Sequence, residues 1–541
     1  MPDERAREIV ALRDRCKGKQ ANFRNLWQSI SDLMFQHTYG ISTTHSVGSE
    51  LMAEVFDTTA MEESENMTSG LVVNLFPPGQ RFFEITPDLY QPSEQAVHYT
   101  SALTRKLHTL IADSNFIAQI SNTIQYWLTF GTGALYSEWS GGSLNYRDYS
   151  IGTYQCLENA KGVVDTVILS CPKTARQAIQ KFGGKAGPSI TKANEKPETR
   201  DDLFDIIHCI QPRSDFDPNP VMRLTEKMPF ASVFVNEKDL VVIQEGGFEE
   251  FPFAVPRYQV IYQEVYGRGR GTTMLPQVRV LNRLAKDYQE MSNKWVNPPR
   301  EVLESFDGEV DVTPGATNYV VTMGSIAAID MGANGAYPIT KDILEYHREG
   351  IRQGFFKNAF EALAGLSGDR RTTTEIVERL KEGMKKLSKP LGRLFIELLT
   401  PVITRSALLT LRSGKVPPPP PELQGKPFKI KIINPLALAL ADQESRGLQY
   451  WVSAGQQMEQ TFPGVVDNVN SDKAYRDLGR SLGVNAEHIR EEDDVEFIRE
   501  ERARRMAEQQ ALQAAQVAGE AYGKTTKSPE EGSPAEMVMG A

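Results

Sequence analysis

The chain has 541 residues, of which 40% are apolar and 24% are charged, and its formal net charge is −10 at pH 7. This length can bury a large core and predicts two to four domains. The acidic balance argues against a protein that sequesters DNA on a basic surface, but it is compatible with DNA that passes through without being held.

Cysteine usage and hydropathy indicate the compartment. The four cysteines are scattered and none forms a C-x-x-C pair, which is typical of reduced thiols in an intracellular protein. The charged N-terminus lacks the apolar segment of a signal peptide. No run approaches the roughly 20 apolar residues of a membrane helix, so we expect a soluble protein without a membrane partner. The cysteines are Cys16, Cys156, Cys171 and Cys209.

The N-terminal part of the chain is predicted to be mainly helical. Apolar residues at helical spacing predict a helix over 3–35 and, after a polar loop, a second helix over about 50–75. The run Phe76-Pro-Pro-Gly79 ends that helix, because neither proline nor glycine extends one. A short strand is expected over 82–85 and a helical pair over 93–130.

The stretch from Ala134 to Val260 has the composition of strands. A short Asn236-Glu-Lys turn joins the last two of them. Mixed helices and antiparallel strands predict an α+β fold that is predominantly helical. The expected strands are Val163–Leu169, Leu203–Ile210, Ala231–Val235 and Leu240–Gln244.

Two helices flank a glycine-rich segment in the second half of the chain. The first is predicted over 272–295 and ends at Asn297-Pro-Pro299. The next forty or so residues favour short strands, for example Tyr319–Thr322, before a further helix over about 339–363. We therefore expect two antiparallel helices joined by a compact β-rich insert.

A glycine-hinged, doubly basic loop over 364–371 precedes a long helix. Thr372 and Glu375 have the spacing of a capping box, in which each side chain bonds the other residue's backbone N–H. The apolar stripe behind them runs for about seven turns, so one face of the helix is buried. Bends are expected at Pro390 and Pro401.

The C-terminal part begins with a run of prolines over 417–421, which predicts a stiff spacer. A helical pair is expected over 434–483 and a highly charged helix over 486–516. The last residues, 517–541, are of low complexity and are expected to be flexible.

The chain lacks recognisable catalytic motifs, and we predict no catalytic residue, metal or cofactor. None of the seven histidines belongs to an H-E-x-x-H motif, and G-x-S-x-G is absent. Gly523-Lys-Thr525 lacks the upstream spacing of a phosphate loop. The G-x-G-x-G run over 267–271 lacks dinucleotide-site spacing and is interpreted as a flexible hinge. The acidic run over 491–494 indicates a solvated helix face more than a cation site.

Four motifs stand out in chain order: Leu75–Phe83; Pro252–Arg257 with Tyr266–Gly269 and the helix through Asn282; Gly368–Thr372 with Glu375; and Leu482–Val484 with Ile489 and Arg490. Together, over nearly the whole chain, they resemble the portal (head-to-tail connector) proteins of short-tailed, double-stranded DNA phages. Arg270 departs from the pattern, because proline often follows Tyr-Gly-Arg-Gly in relatives, and this changes the expected rigidity of the hinge.

The resemblance implies a dodecameric ring at one capsid vertex, through which DNA is packaged and ejected. It also implies a division of the subunit into named parts. These are a wing over 1–271, stem helices over 272–295 and 339–363, a clip over 296–338, a tunnel loop over 364–371, a spine helix with proline linker over 372–433, a crown over 434–516 and a flexible tail over 517–541.

Site residues follow from the same resemblance. The arginines of the loop either face DNA phosphates or pair with carboxylates of a neighbouring subunit, and both readings stay open. Lys381, Lys385, Lys386 and Lys389 form a solvated or intersubunit face more readily than a DNA track. The implied tunnel loop comprises Gly365, Leu366, Ser367, Gly368, Asp369, Arg370 and Arg371, and the implied stem–clip junction comprises Trp295, Pro298 and Pro299.

The implied partners are other copies of the chain, double-stranded DNA, terminase, a tail adaptor, and capsid and internal core proteins. The implied location is the portal vertex of the virion, after assembly in the host cytoplasm. Two alternatives stay open. One is a scaffold or adaptor of the virion that forms no ring. The other is a DNA-processing enzyme of the packaging machinery, which would require metal-binding carboxylates or a phosphate loop.

Overall fold

A computed structural model of the chain describes most of its N-terminal four-fifths and one C-terminal helix. The chain divides into two units, residues 1–440 and 441–541. The described residues are 3–35, 40–43, 48–89, 93–217, 224–296, 300–304, 309–311, 318–320, 322, 324, 326–328, 336–357, 387–426, 428–433, 453, 455, 458, 464, 470–473, 475 and 492–525.

Four helices open the first unit: α1 (Glu4–Met34), α2 (Thr59–Leu75), α3 (Glu94–Ala112) and α4 (Phe116–Thr129). Three agree with the predicted bounds, but α2 begins nine residues later than the predicted start at about 50. Side-chain acceptors explain this late start. The Asn282 side chain accepts the N–H of Phe56 at 2.7 Å and the Asp57 carboxylate accepts that of Thr59 at 3.0 Å, so these groups serve a turn instead of a helix.

An antiparallel sheet of five strands follows, in the order of the chain. The predicted strands and the Asn236-Glu-Lys hairpin are confirmed. Two short helices between the second and third strands, α5 (Ala175–Phe182) and α6 (Pro188–Glu195), were not predicted. The strands are β4 (Tyr154–Glu158), β5 (Val164–Thr174), β6 (Leu203–Pro212), β7 (Phe230–Asn236) and β8 (Val241–Phe248), and before them in the chain come β1 (Phe83–Pro87), β2 (Leu135–Ser140) and β3 (Ser143–Asp148).

Both faces of the five-stranded sheet are covered. The first half of α1 packs on one face through a small core that includes Ile9 and Ile207. Helices α5 and α6 cover the other face through a second small core that includes Phe182, Ile190 and Ile206. The larger core lies among α1 to α4 and a small second sheet of β3, β2 and β9 (Phe253–Ala254). The body therefore has the mixed helix and antiparallel strand content that was predicted.

Two helices, α7 (Arg270–Val296) and α8 (Ala336–Gly354), flank a short antiparallel strand pair, β10 (Arg300–Val302) and β11 (Ile326–Ala328). The strand predicted over Tyr319–Thr322 is wrong, since residues 318–320 are irregular. The helix predicted over 339–363 also needs correction: α8 ends at Gly354, and Phe356 then takes a positive φ of 58°. That left-handed residue breaks the helix.

Helix α9 (Leu387–Arg412) contains a π-helical segment over Phe395–Leu399, which ends two residues before Pro401. Proline cannot donate a backbone hydrogen bond, and the wider π turn absorbs that loss within a continuous helix. By length and composition α9 is apolar enough to cross a membrane, so the expectation that no segment reaches this limit was wrong. Its buried leucines belong to the main core, which accounts for its apolar character.

The proline run leads into β12 (Phe428–Ile432), which pairs antiparallel with β1, Phe83 opposite Ile432. In the second unit, α10 spans Glu492–Thr525. Residues 517–525, expected to be flexible, are therefore helical. The alanine- and glutamine-rich sequence before them has high helix propensity. The described part of this unit leaves out most of the helical pair predicted over 434–483.

Candidate functional site

Helices α7 and α8 run antiparallel in close contact, as predicted. Two glycines of α8 leave room for side chains of α7, because a Cβ at Gly350 would displace the end of the Gln277 side chain, and one at Gly354 that of Met274. The Gln277 side chain also donates to the carbonyl of His347 at 3.4 Å. The pair therefore forms one rod with a fixed register.

This rod is fastened to the segment that precedes α2. The Asn282 amide donates to the carbonyl of Glu54 at 2.9 Å, in addition to accepting the Phe56 N–H. On the other helix, Arg348 pairs with the buried carboxylate of Asp57 at 2.9 Å. These contacts therefore hold the middle of α7 and the C-terminal half of α8 against the segment that precedes α2.

Arg270 connects the start of α7 to the end of α8. Its Nε donates to the carbonyl of Gly354 at 2.9 Å, and its Nη2 donates to the same oxygen. Its guanidinium also lies 4.7 Å from the ring centroid of Phe356, the residue with the positive φ. A bulky residue in the left-handed region is strained, and such residues persist where surrounding contacts enforce them. Arg270 supplies two of those contacts.

Basic side chains near the end of α8 share a carboxylate on α2. Glu63 is buried, and its Oε1 lies 3.9 Å from Nε of Arg352 and 3.7 Å from Nζ of Lys357. A buried carboxylate is stable when positive charges compensate it. These ion pairs therefore tie the end of α8 and the residues up to Lys357 to helix α2.

The glycines of the G-x-G-x-G run lie at a buried crossing of two backbone segments. A Cβ at Gly269 would come within 2.5 Å of the Leu128 carbonyl, and Cβ atoms at Gly267 and Gly271 would meet the backbone of Gly131 and Thr129. The interpretation of this run as a flexible hinge is therefore corrected. Glycine is needed here for close approach at the end of α4.

Arg257 forms a buried charge cluster beside the π-helical segment of α9. Its guanidinium pairs with Glu397 and with Glu158, each at 2.8 Å, and its backbone N–H donates to the Glu397 carboxylate at 2.8 Å. The side chain also donates to the carbonyl of Gly162 at 2.7 Å. Burial lowers the pKa of Arg257, but the two carboxylates more than offset this, and its pKa lies above the ordinary value. Arg257 thus joins α9 to the β4–β5 hairpin.

A second arginine anchors α9 further along. Arg405 donates to the carbonyl of Ser137 at 3.0 Å and pairs with Glu250 at 3.2 Å. Burial lowers its pKa to about 10, against the opposing effect of Glu250. The next residue, Ser406, bonds the buried hydroxyl of Tyr146 at 2.7 Å. These contacts fix α9 against strands β2 and β3 and against the segment that follows β8.

The structure describes few of the predicted site residues themselves. Trp295 lies in the last turn of α7, and Lys389 lies in the first turn of α9. The nearest described residues on either side of the loop are Lys357, which pairs with Glu63, and Leu387, which is buried. The residues outside the described part are Gly365, Leu366, Ser367, Gly368, Asp369, Arg370, Arg371, Thr372, Glu375, Lys381, Lys385, Lys386, Pro298 and Pro299.

The residues that hold this architecture were not identified from the sequence. Arg257 was quoted only as part of a motif, and Glu397 only interrupts an apolar stripe. A charged residue inside such a stripe was the available signal, since it requires a buried partner.

Metal-ligand clusters and thiols give no catalytic arrangement in the described part of the chain. No group of three or more histidine, cysteine or acidic residues is placed there to hold a metal ion. The four cysteines are free thiols. Burial raises the pKa of Cys156 and of Cys209 to about 12, so these thiols are unreactive at neutral pH.

Similarity to known proteins covers almost the whole chain. A portal protein of Salmonella phage epsilon15 is 25% identical over 520 residues, which are 93% of this chain and 92% of that protein. A probable portal protein of Bordetella phage BPP-1 is 22% identical over 529 residues, 95% of this chain and 94% of the relative. The profile of the family described as bacteriophage head to tail connecting protein matches residues 6–489. The chain therefore belongs to the bacteriophage head-to-tail connecting protein family.

Proposed function

We propose that the chain acts as a portal protein, which forms a closed ring at one vertex of the capsid. DNA enters during packaging and leaves during ejection through the ring, on which terminase and a tail adaptor dock. The observation that carries this proposal is the match of the family profile over residues 6–489. We take the ring to be a dodecamer that assembles in the host cytoplasm and contacts capsid and internal core proteins.

In this proposal the rod of α7 and α8 is the stem. The β10–β11 pair with its flanking residues is the clip, and residues 1–271 with α9 and β12 are the wing. Helix α10 belongs to the crown, and the residues after Thr525 form the tail. The antiparallel packing of α7 on α8, with a strand pair between them in the chain, supports this assignment.

Residues 364–371 act as the tunnel loop, between the ion-paired Lys357 and the buried Leu387, which are the nearest described residues on either side. Arg370 and Arg371 face DNA phosphates, or pair with carboxylates of a neighbouring copy. Each fixed cation that neutralises a phosphate adds affinity and salt dependence. A lining with few basic groups in an acidic protein therefore lets DNA slide.

Electron microscopy of the purified protein, with and without residues 364–371, tests this proposal. Rings are expected in both preparations, whereas particles built with the deletion variant should package or retain less DNA. A stable monomer at micromolar concentration would contradict the ring and favour a scaffold or adaptor. Normal retention of a full genome by the variant would contradict the role of the loop.

The clip is tested by binding. Substitutions within residues 300–337 should weaken binding of terminase or the adaptor more than they affect folding, with Trp295, Pro298 and Pro299 marking the junction to the stem. Unchanged binding by folded variants would contradict the docking role.

We propose a structural role for the chain, and metal-dependent DNA cleavage or ATP turnover by the purified protein would contradict it.

A further inference from the structure

Helix α7 carries a basic stripe, defined as Arg279, Arg283 and Lys286. Steps of four and three residues place the three side chains on one face. The residues that contact α8, Met274 and Gln277, lie on the opposite side of the helix at about 3.6 residues per turn. The stripe is exposed, and the Arg283 side chain keeps 85% of its accessible surface. It therefore faces away from the α8 of its own chain.

Helix α8 carries a matching acidic stripe, defined as Asp342, Glu345 and Glu349. All three residues are exposed, and the Glu345 side chain keeps 56% of its surface. Gly350 and Gly354, which touch α7, lie on the other side of the helix. The acidic stripe therefore faces away from the α7 of its own chain.

The two stripes lie at the same level along the rod. Met274 lies beside Gly354 and Gln277 beside Gly350, which fixes the antiparallel register. Both helices rise by about 1.5 Å per residue, so the register continues residue for residue. It brings Arg279 level with Glu349, Arg283 with Glu345, and Lys286 with Asp342.

We infer that neighbouring copies in the ring join through the basic stripe of one copy and the acidic stripe of the next. This inference rests on the proposed ring. A closed ring needs an interface between two different faces of the subunit, and rotation about the ring axis keeps every residue at its height. For a rod that runs along the ring axis, stripes at the same level on opposite faces therefore meet across each contact, with opposite charges paired.

Charged groups around the stripes are compatible with this contact. Arg283 lies 4.0 Å from Asp287 of its own helix, and Glu345 and Glu349 pair with Arg352 at 2.5 and 3.7 Å. The Arg283–Asp287 pair is exposed and contributes little. Arg352 is half-buried and also reaches Glu63, so it keeps a carboxylate partner when Glu345 and Glu349 turn to a neighbouring copy. The same register brings Asp287 level with Lys341, a further pair of opposite charges.

Exposed apolar side chains border both stripes. Val280 on α7 is 46% exposed, and on α8 Ile343 and Tyr346 are 42% and 75% exposed. Interfaces combine such apolar contacts with a charged rim, and tyrosine is enriched in them. The contact between copies therefore includes these apolar side chains as well as the two charged stripes.

Charge reversal tests the inference. Arg283→Glu alone and Glu345→Arg alone should each reduce the ring fraction at least about tenfold at about 0.15 M salt, because each sets like charges opposite each other at every contact. The double variant should restore rings, since the pair is rebuilt with its signs exchanged. Lys185→Glu, at an exposed position in another part of the body, is the matched control. Mass photometry counts rings, and circular dichroism confirms that the variants are folded.

Cross-linking tests the geometry directly. On oxidation, a chain with both Arg283→Cys and Glu345→Cys should form a ladder of covalent oligomers up to the closed ring. Either single variant should form no covalent oligomer larger than a dimer. If all three charge-reversal variants formed rings as well as the unmodified protein does, or if rings of the double-cysteine variant gave no covalent ladder, the inference would be overturned. The proposed function would stay intact. A complete lack of rings in the unmodified protein would instead contradict the proposed function.

Discussion

The guanidinium of Arg270 lies 4.7 Å from the ring centroid of Phe356 while its Nε donates to the carbonyl of Gly354. We expect Arg270→Ala to destabilise the protein by about 1–3 kcal/mol, because a cation–π contact and a charged hydrogen bond are lost. Hydrogen exchange of peptides ending near Lys357 should become faster.

Two further variants make this prediction specific. Arg270→Pro should keep the start of α7, since proline suits the first helical position, yet show the same faster exchange. Arg176→Ala, at an exposed position of α5, should leave exchange near Lys357 unchanged. Unaltered protection in both Arg270 variants would show that Phe356 holds its conformation without this arginine.

Removal of Arg257 should cost much more than removal of an exposed arginine. Arg257→Met leaves Glu397 and Glu158 without their buried partner, and we expect a loss of about 3–5 kcal/mol in the free energy of unfolding. Urea denaturation followed by circular dichroism measures it. Arg412→Ala is the control: Arg412 pairs with Glu250 at 2.6 Å but is 43% exposed, so about 1 kcal/mol or less is expected.

The same experiment has an internal check. Adding Glu397→Gln to Arg257→Met removes a carboxylate that is 16% exposed and that the 38% exposed Arg393 compensates from 3.4 Å, so the double variant should be more stable than the single one. If the single variant lost no more stability than Arg412→Ala, the cluster would not have the structural role assigned to it.

The backbone crossing at Gly269 gives a steric prediction. Gly269→Ala places a Cβ against the Leu128 carbonyl and the Gly131 N–H, at 2.5 and 2.6 Å, so the segments must separate. We expect a loss of stability of about 1–3 kcal/mol or more. Gly392→Ala is the control, since its Cβ meets nothing within 4 Å in α9 and alanine favours helices by about 1 kcal/mol. Equal melting temperatures for the two variants would contradict a close crossing.

A buried histidine gives a prediction about pH. The ring of His208 stacks on Phe234 at a centroid distance of 3.8 Å, its Nε2 lies 2.9 Å from Ser232 Oγ, and burial lowers its pKa to about 3. In the unfolded chain the pKa is about 6.5. Because the unfolded state binds the proton first, the stabilisation is fully present above about pH 6.5 and is lost as the pH falls towards 3.

His208→Gln should remove this dependence. Between about pH 6.5 and 5, before most carboxylates titrate, the free energy of unfolding of the variant should depend less steeply on pH, by a difference in slope that grows from about 0.7 to about 1.4 kcal/mol per pH unit as the unfolded histidine becomes protonated. Parallel urea titrations at several pH values measure the difference. Identical slopes for the two proteins would mean that His208 takes up its proton in the folded state.

Local patterns predicted most helices and strands of the body because each buries one face, which imposes a period on the sequence. Where side-chain caps override that period, prediction failed. The turn at Phe56 and Asp57 depends on Asn282, which is distant in sequence. The start of α5 did carry a signal, the Thr174–Gln177 capping box, that was overlooked.

The contacts that organise the candidate site join residues far apart in the chain. Arg257 and Glu397 are 140 positions apart, and Arg270 reaches a carbonyl 84 positions away. A single sequence shows that each charge exists but not which partner it meets. The glycine run was misread for the same reason, since close approach to Gly131 is a property of the folded chain.

The pairing of β1 with β12 has a consequence for synthesis. Phe83 meets Ile432, so one edge of the body stays open until the ribosome has made more than three-quarters of the polypeptide. Contacts between such distant segments form slowly, because a long loop must close first. In a nascent chain β1 therefore stays without its partner strand until residues 428–432 have been made.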